Sequence, residues 1–235
     1  MEIRPIVIAG AVDTELDVLI KKLDKKKRFE ENEYIFYEGY IDEYPIVVLK
    51  TGVATINAAI SVTKIINKYN PLAIINEGTA GSHILDLKRG DIIIGEEMVA
   101  INSYITPNKN LSKGSNPFEW NMQDFQEGED GDCTIYKADA ELVKIAKKIK
   151  ETYSFGNVYC ARIGSGDVFN REIDRIDWIN KNLKTSCEEM EGIAVYTVAK
   201  KFNVPVIGLR VISNNELKDE HYDIKYGRQR SRIHI

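Results

Sequence analysis

Short apolar runs alternate with amphipathic segments along most of the chain. Residues 3–10 form an apolar run that ends in Gly, which is typical of a buried strand, whereas residues 13–23 repeat Leu and Ile along one helical face. Further strands are predicted at 33–41, 44–52, 71–81, 90–101, 156–167 and 204–213, and further helices at 55–69, 138–153, 171–183 and 192–203. This alternation predicts an α/β fold with a largely parallel central sheet that helices cover on both faces.

Two segments depart from this rhythm. Residues 102–132 are rich in Pro, Gly, Asn and acidic residues and predict a long loop, which in a compact domain is often functional. The segment after residue 213 is polar and has no clean apolar face. Because no internal repeat or linker interrupts the pattern, residues 1–235 are predicted to form a single domain.

Composition narrows the function by exclusion. The formal net charge is −4, so the chain lacks the basic surface of a nucleic-acid-binding protein, and no apolar run is long enough to predict a membrane-spanning helix. The three cysteines are widely spaced and the three histidines are scattered. We therefore expect no zinc site and no disulfide framework, and reduced cysteines in a cytoplasmic protein.

Polar side chains follow several of the predicted strands. In open α/β sheets, ligands bind beyond the carboxyl ends of the strands. The residues at these ends include carboxylates, hydroxyls, amides, one aromatic ring and one arginine: Asp13, Glu15, Glu77, Thr79, Ser165, Asp167, Phe169, Asn170, Glu188, Glu189, Met190, Glu191, Arg210, Ser213, Asn214 and Asn215.

Three of these residues are interpreted individually. Glu191 lies where a strand meets a helix, and a helix N-terminus would favour its ionised form and its contact with a ligand. Arg210 interrupts an apolar strand, so it either pairs structurally with a carboxylate or belongs to the site. Phe169 is either a core residue or a stacking platform.

Taken together, the chain resembles the nucleoside phosphorylase/hydrolase superfamily and, more narrowly, the 5′-methylthioadenosine/S-adenosylhomocysteine nucleosidases. The resemblance spans roughly residues 3–215. It rests on the order and spacing of the segments "GAVDTELDVL", "LKTGVATINAA", "IINEGTAG", "LKRGDIII", "GSGDVFN" and "EEMEGIAVYTVAKKFNVPVIGLRVIS". It implies a three-layer α/β/α fold with a mixed, mostly parallel sheet, and hydrolysis of the N-glycosidic bond of a purine nucleoside.

The resemblance also implies catalytic roles. Glu15 matches the carboxylate that activates the attacking water, and Thr79 and Arg210 would help to hold that water. The reaction would pass through an oxocarbenium-like ribosyl cation, which carboxylates stabilise. Because Glu15 lies where a phosphorylase would bind phosphate, its charge favours a hydrolase over a phosphorylase.

A second group of residues would bind the substrate. By the resemblance, Glu191 would bind the ribose hydroxyls, Met190 would pack on the sugar, Phe169 would stack on the purine, and backbone groups near Asn170 would meet the purine edge. Glu188 and Glu189 would be mainly structural, with Glu189 and Ser213 kept among the candidate substrate-binding residues.

One position departs from the family pattern. Asn214 stands where these nucleosidases typically have the aspartate that donates a proton to purine N7, and an amide can only donate a hydrogen bond. Three interpretations follow: a slower adenine nucleosidase, a 6-oxopurine nucleoside hydrolase of the futalosine or inosine type, or a nucleoside-binding protein with impaired turnover.

The resemblance implies a homodimer as well. The loop 102–132 falls where relatives build a subunit contact and a lid, so Tyr104, Phe118 and Trp120 could line the pocket for the 5′ substituent or the dimer face. The family usually closes with an amphipathic helix after the strand that ends at Ser213, and we expect that helix to be shortened or absent here.

Overall fold

The computed structural model describes residues 3–122 and 135–218. The strands are β1 (Ile6–Gly10), β2 (Asp24–Glu31), β3 (Tyr34–Ile41), β4 (Tyr44–Lys50), β5 (Ala73–Ser82), β6 (Ile92–Ala100), β7 (Tyr104–Ile105), β8 (Asn121–Met122), β9 (Ile135–Lys137), β10 (Val158–Ser165), β11 (Thr185–Glu189) and β12 (Val206–Asn214). The helices are α1 (Asp13–Lys22), α2 (Thr55–Tyr69), α3 (Ala140–Ala146), α4 (Ile173–Leu183) and α5 (Gly192–Lys201).

One mixed sheet organises these elements. Its strand order is β11-β10-β6-β12-β5-β1-β4-β3-β2, with β9 paired to β6. Parallel pairings join β1 to β4 and β5, β5 to β12, and β10 to β6 and β11. Antiparallel pairings join β2, β3 and β4 in succession and β12 to β6. The predicted α/β class with a mixed sheet is confirmed, whereas the antiparallel pairing of β12 with β6 was not predicted.

Alternating side chains of the central strands explain the three layers. Val7 and Ala9 of β1 pack in the core cluster that contains residues of α2 and α5, whereas Ile6 and Ile8 pack against the cluster that contains Leu16 of α1. On the opposite face from α2 and α5, α3 packs with β6 and β10. Successive strand residues point to opposite faces, so helices on both sides bury both sets.

Strand β2 was not predicted. Seven of its eight residues are exposed, and its sequence DKKKRFEE has none of the apolar alternation that indicates a strand. Among the described strands it pairs only with β3, and it forms one edge of the sheet. Charged residues on an exposed edge oppose association with other strands, so this strand is defined by its pairing rather than by its composition.

Two predicted segments differ in extent. The helix predicted at 138–153 is α3 followed by a 3-10 turn, Lys147–Glu151. The segment predicted to be a loop contains the small sheet of β7 and β8 and a short 3-10 turn, Pro117–Glu119. The rest of that loop, 123–132, and the predicted change in the last helix after residue 218 lie outside the described residues.

The sheet curves so that two distant strand ends meet. Strand β11 runs parallel to β10 and also pairs antiparallel with the end of β5, where Cys187 faces Ser82 and Glu188 faces Gly81. This second pairing brings the acidic end of β11 beside the Gly-rich end of β5. Among the described residues, no helix is both long and apolar enough to cross a membrane.

Candidate active site

A cavity of about 540 Å³ lies at these strand ends. It is bounded by the ends of β1, β5, β11 and β12 and by the segment after β10. Nine of the ten predicted site residues line it: Glu15, Thr79, Phe169, Asn170, Glu189, Met190, Glu191, Ser213 and Asn214. The tenth, Arg210, is buried outside the lining. Carboxylates that are 176 positions apart in the sequence therefore share one cavity, as the resemblance requires.

The carboxylate of Glu15 is fixed from two strands. It lies in the first turn of α1, where the backbone N–H groups of Ala11 and Val12 donate to its Oε2 at 2.9 and 3.3 Å. From the end of β5, the Thr79 N–H and hydroxyl donate to its Oε1 at 2.9 and 3.2 Å. These donors hold the orientation of the carboxylate, which places Glu15 to accept a proton from a molecule in the cavity.

Glu189 links the cavity to the buried Arg210. Its carboxylate accepts hydrogen bonds from the backbone N–H groups of Glu191 (3.1 Å) and Gly192 (2.8 and 2.9 Å), so it caps the start of α5. Arg210 Nη2 lies 2.5 Å from Glu189 Oε2, and Arg210 also donates to the backbone carbonyl of Asn76 at 2.6 Å. Both side chains are 2% exposed. Of the two interpretations of Arg210, the geometry supports pairing with a carboxylate; its contact with the attacking water stays a prediction.

Glu191 lies at the N-terminus of α5, as predicted, but its protonation differs from the expectation. Its Oε1 accepts a hydrogen bond from the Ala54 N–H at 2.8 Å, just before α2. Burial and then the charge of Glu189 raise the pKa of Glu191 to about 7, and together they outweigh the Ala54 hydrogen bond. The expectation that the helix N-terminus favours the ionised form was therefore wrong, because Glu191 is buried and because Glu189, which accepts from the N–H groups at the start of α5, adds a second negative charge nearby.

This raised pKa predicts a pH dependence. Since the ionised carboxylate is the form that accepts hydrogen bonds from two hydroxyl groups, kcat/KM should rise with pH up to about 7 and then level off. Glu189→Gln removes the neighbouring charge, so the rising limb should move to lower pH. Profiles measured between pH 5 and 9 check both statements. An identical limb in the wild type and in Glu189→Gln would contradict the assignment to Glu191.

The end of the cavity near β11 holds a hydrogen-bonded group that the sequence did not reveal. Glu188 accepts from the Asn170 N–H (2.8 Å) and side-chain amide (2.6 Å), and its Oε2 lies 3.0 Å from His83 Nε2. The other ring nitrogen of His83 lies 2.7 Å from the Thr185 hydroxyl. His83 and Glu188 are buried, and both also line the cavity; a mainly structural role for Glu188 stays a prediction. A single sequence gives no signal for His83, because the pairing of β11 with β5 brings it there.

Asn214 lies at the end of β12 with both ends of its amide hydrogen-bonded. The Ser213 hydroxyl donates to Oδ1 at 2.8 Å, and Nδ2 donates to Glu216 Oε1 at 3.2 Å. Glu216 lines the cavity and is 3% exposed, although it was not among the predicted residues. It belongs to a short 3-10 turn, Glu216–Lys218, that follows β12.

Apolar side chains form another part of the lining. Val53, Val168 and Phe169 are each almost half exposed, and Met190 lies between the acids of β11 and α5. Phe169 is 48% exposed and lines the cavity, a placement that suits contact with a base.

The loop aromatics are placed differently from the first of the two expectations. Tyr104 packs against Trp120 and against Trp178 of α4, with ring centroids 5.8 and 6.0 Å apart, and the Arg175 guanidinium lies 5.0 Å from the Tyr104 centroid. Within the described part of the chain, none of Tyr104, Phe118 and Trp120 lines the cavity. Lining of the 5′ pocket by these rings is therefore not seen in the single chain.

Glu77, a strand-end carboxylate of β5, is buried close to the site. Its Oε1 has no hydrogen-bond partner among the described residues. Burial, followed by the charge of Glu15, raises the pKa of Glu77 to about 8. Glu77 is therefore mainly protonated at neutral pH in the folded protein, which avoids an unpaired buried charge beside Glu15.

The buried Glu77 predicts that the protein loses stability as the pH rises from 4.5 to about 8. The unfolded chain releases this proton near its ordinary pKa of 4.5 and the folded chain only near 8, so the free energy of unfolding falls as pH rises between these values. The integrated loss is roughly 3–5 kcal/mol. In Glu77→Gln this part of the pH dependence should disappear, whereas the exposed Glu141→Gln should keep it. Urea unfolding at pH 5 and at pH 9 gives the change in the free energy of unfolding between these two pH values. The same change in the wild type, Glu77→Gln and Glu141→Gln would contradict the prediction.

Comparison with known proteins agrees with this geometry. A family model described as "Phosphorylase superfamily" matches residues 5–232. A 5′-methylthioadenosine/S-adenosylhomocysteine nucleosidase from Exiguobacterium sp. (strain ATCC BAA-1283 / AT1b) is 30% identical over 220 residues, which are 93% of this chain and 88% of that protein. The chain belongs to the phosphorylase superfamily and, within it, to the family of these nucleosidases.

Solved structures related to this nucleosidase family share the fold. The nucleosidase of Neisseria meningitidis, in complex with methylthio-immucillin-A, superposes with a TM-score of 0.76 at 22% identity and covers 92% of this chain and 89% of its own. The native futalosine hydrolase of Helicobacter pylori strain 26695 superposes with a TM-score of 0.75 at 23% identity, covering 91% and 85%. The three-layer architecture is thus common to nucleosidases with different substrates.

Proposed function

We propose that the protein is an N-glycosyl hydrolase that cleaves 5′-methylthioadenosine or S-adenosylhomocysteine into adenine and the 5′-substituted ribose. The observation that carries this proposal is the convergence of Glu15 and Glu191 on one cavity. The 30% identity to a nucleosidase named for these two substrates, over 93% of the chain, supports the substrate class.

The charge of the cavity supports water as the nucleophile. Among the described residues, five carboxylates line it, including Glu15, Glu188 and Glu191, and one arginine, Arg171. Phosphate would be repelled by this surface, while a water molecule bound by Glu15 and Thr79 could lose its proton to Glu15 as it attacks the sugar.

The remaining lining residues would then bind the nucleoside. Glu191 would accept the ribose hydroxyls and stabilise the cationic ring, Met190 would pack on the sugar, and Phe169 would stack on the base. Glu189 would position Glu191 through the start of α5, and Arg210 would position Glu189 through their ion pair rather than touch the substrate.

A 6-oxopurine nucleoside hydrolase is the second candidate. The structural similarity to futalosine hydrolase supports it, and so does Asn214, because its amide has two hydrogens that could in principle reach N7 and O6 of such a base. The third candidate is a nucleoside-binding protein with impaired turnover, since Asn214 cannot transfer a proton to the leaving base.

Assembly and location remain proposals as well. A homodimer is supported by Ile56 and Ile60, which are 71% and 44% exposed on α2 although both are apolar. Free thiols at Cys160 and Cys187 agree with a cytoplasmic protein, and the continuous sheet agrees with one domain over 1–235. We expect a role in salvage of the methylthio group for methionine, no nucleic-acid or membrane partner, and no cofactor.

Base release from three nucleosides tests the proposal. The protein would be incubated with 5′-methylthioadenosine, S-adenosylhomocysteine and inosine, and the free base would be quantified by chromatography. Adenine release without added phosphate supports the proposed hydrolase. Hypoxanthine release alone supports the second candidate, and tight binding without release supports the third.

A further inference from the structure

The amide of Asn214 is hydrogen-bonded at both ends, by the buried Glu216 and by the partly buried Ser213, whose hydroxyl also lies 3.2 Å from the Ala80 carbonyl oxygen. Nδ2 lies 3.2 Å from Glu216 Oε1, and the Ser213 hydroxyl lies 2.8 Å from Oδ1. The Arg171 guanidinium lies 3.7 Å from Glu216 Oε2, a pairing that suits a carboxylate. With Glu216 assigned as the carboxylate partner of Arg171, it only accepts hydrogen bonds, and the nitrogen of the Asn214 amide, not its oxygen, faces it. Rotation of the amide by 180° would bring two acceptor oxygens together in a buried place, since Asn214 and Glu216 are 2% and 3% exposed.

This fixed orientation limits what the amide can offer to a ligand. An asparagine side chain has two N–H hydrogens and two acceptor lone pairs. Glu216 takes one hydrogen and Ser213 takes one lone pair. One donor and one acceptor are left for the cavity that Asn214 lines.

We propose that Glu216 is a specificity-determining residue that makes the site select a 6-aminopurine over a 6-oxopurine by locking the orientation of the Asn214 amide. This inference rests on the proposed function and names the base for the same site. One donor and one acceptor on the same amide match adenine, whose N7 accepts and whose 6-amino group donates. Hypoxanthine presents two acceptors, N7 and O6, on that edge, so its O6 would face the remaining lone pair of Oδ1.

The fixed orientation of the Asn214 amide explains why its two hydrogens cannot both donate to a 6-oxopurine. One of them is bonded to Glu216, and the opposite orientation is closed by the charge of the same carboxylate. The selectivity therefore depends on a residue two positions beyond Asn214, in the 3-10 turn after β12.

Replacement of the Glu216 carboxylate by an amide tests whether Glu216 fixes the orientation of the Asn214 amide. In Glu216→Gln, residue 216 can either donate or accept, so both orientations of the Asn214 amide become possible. The ratio of kcat/KM for 5′-methylthioadenosine over its 6-oxo counterpart, 5′-methylthioinosine, should be large in the wild type. It should fall by about 10- to 100-fold in Glu216→Gln, the size expected for exchanging one or two buried hydrogen bonds. The exposed Glu141→Gln serves as the control and should keep the wild-type ratio.

Binding of the free bases separates this inference from the proposed function. Calorimetric Kd values for adenine and hypoxanthine do not require turnover, and they should show the same preference in the wild type and the same fall in Glu216→Gln. If the wild type binds the bases with this selectivity but releases none from nucleosides, the hydrolase proposal fails and the role of Glu216 in base selection is supported. If adenine is released but the ratio of kcat/KM for 5′-methylthioadenosine over 5′-methylthioinosine is the same in Glu216→Gln and in the wild type, Glu216 does not determine the base preference.

A second variant keeps the test decisive if Glu216→Gln does not fold. Ser213→Ala frees the other lone pair of Oδ1 while leaving Glu216 in place, so the preference for adenine should persist or increase. A preference for hypoxanthine in the wild type or in Ser213→Ala would overturn the inference.

Discussion

Replacement of Glu15 by glutamine is expected to lower kcat for 5′-methylthioadenosine by about 10²–10⁴-fold, the range typical for the loss of a general base. The glutamine is nearly the same size, but it cannot take a proton from water. Its NH₂ group would also meet one of the two pairs of donors that now bind the carboxylate, from Ala11 and Val12 or from Thr79. Steady-state rates of adenine release, together with Kd values for adenine, distinguish lost chemistry from lost binding.

Asp13→Asn is the matched control for this experiment. Asp13 lies in the same first turn of α1, but it is 65% exposed and pairs with Lys50. Its replacement should leave kcat almost unchanged, because an exposed ion pair contributes little. A Glu15→Gln variant with wild-type kcat would remove Glu15 from the role of base.

Asn214→Asp is expected to raise kcat for 5′-methylthioadenosine by about 10²–10⁴-fold, since it supplies a group that can transfer a proton to the leaving base. Nδ2 of Asn214 lies 3.2 Å from Glu216 Oε1, so the introduced carboxyl group would share a site with a second carboxylate. Two such groups cannot both ionise easily, so one proton would be retained near neutral pH. The pair would therefore be a proton donor at the pH where the wild-type amide is not.

A carboxylate introduced elsewhere is the control. Asn182 is exposed near the end of α4, outside the cavity, and Asn182→Asp should not change kcat. Rates of adenine release for the three proteins, measured between pH 5 and 9, provide the comparison. An unchanged rate in Asn214→Asp would mean that another group already protonates the base, and the slow step would then lie elsewhere.

The sequence by itself determined the class of fold and most of the site. Apolar runs of strand length and helical repeats of Leu and Ile specify buried strands and one-sided helices, because burial of apolar surface drives both. The residues at the carboxyl ends of the predicted strands include ten that line the cavity, and the family resemblance selected nine of them as site residues. These features are local, so they can be read along the chain.

Only the tertiary structure decided which partners these residues have. Strand β2 exists through its pairing with β3, although its composition gives no apolar alternation. His83 contacts Glu188 because β11 pairs with β5. Arg210 does not line the cavity and is instead buried in an ion pair with Glu189. The protonation of Glu191 and the orientation of Asn214 likewise depend on burial and on neighbouring charges. Desolvation and Coulomb energies depend on distances in space, and a sequence without its fold does not contain those distances.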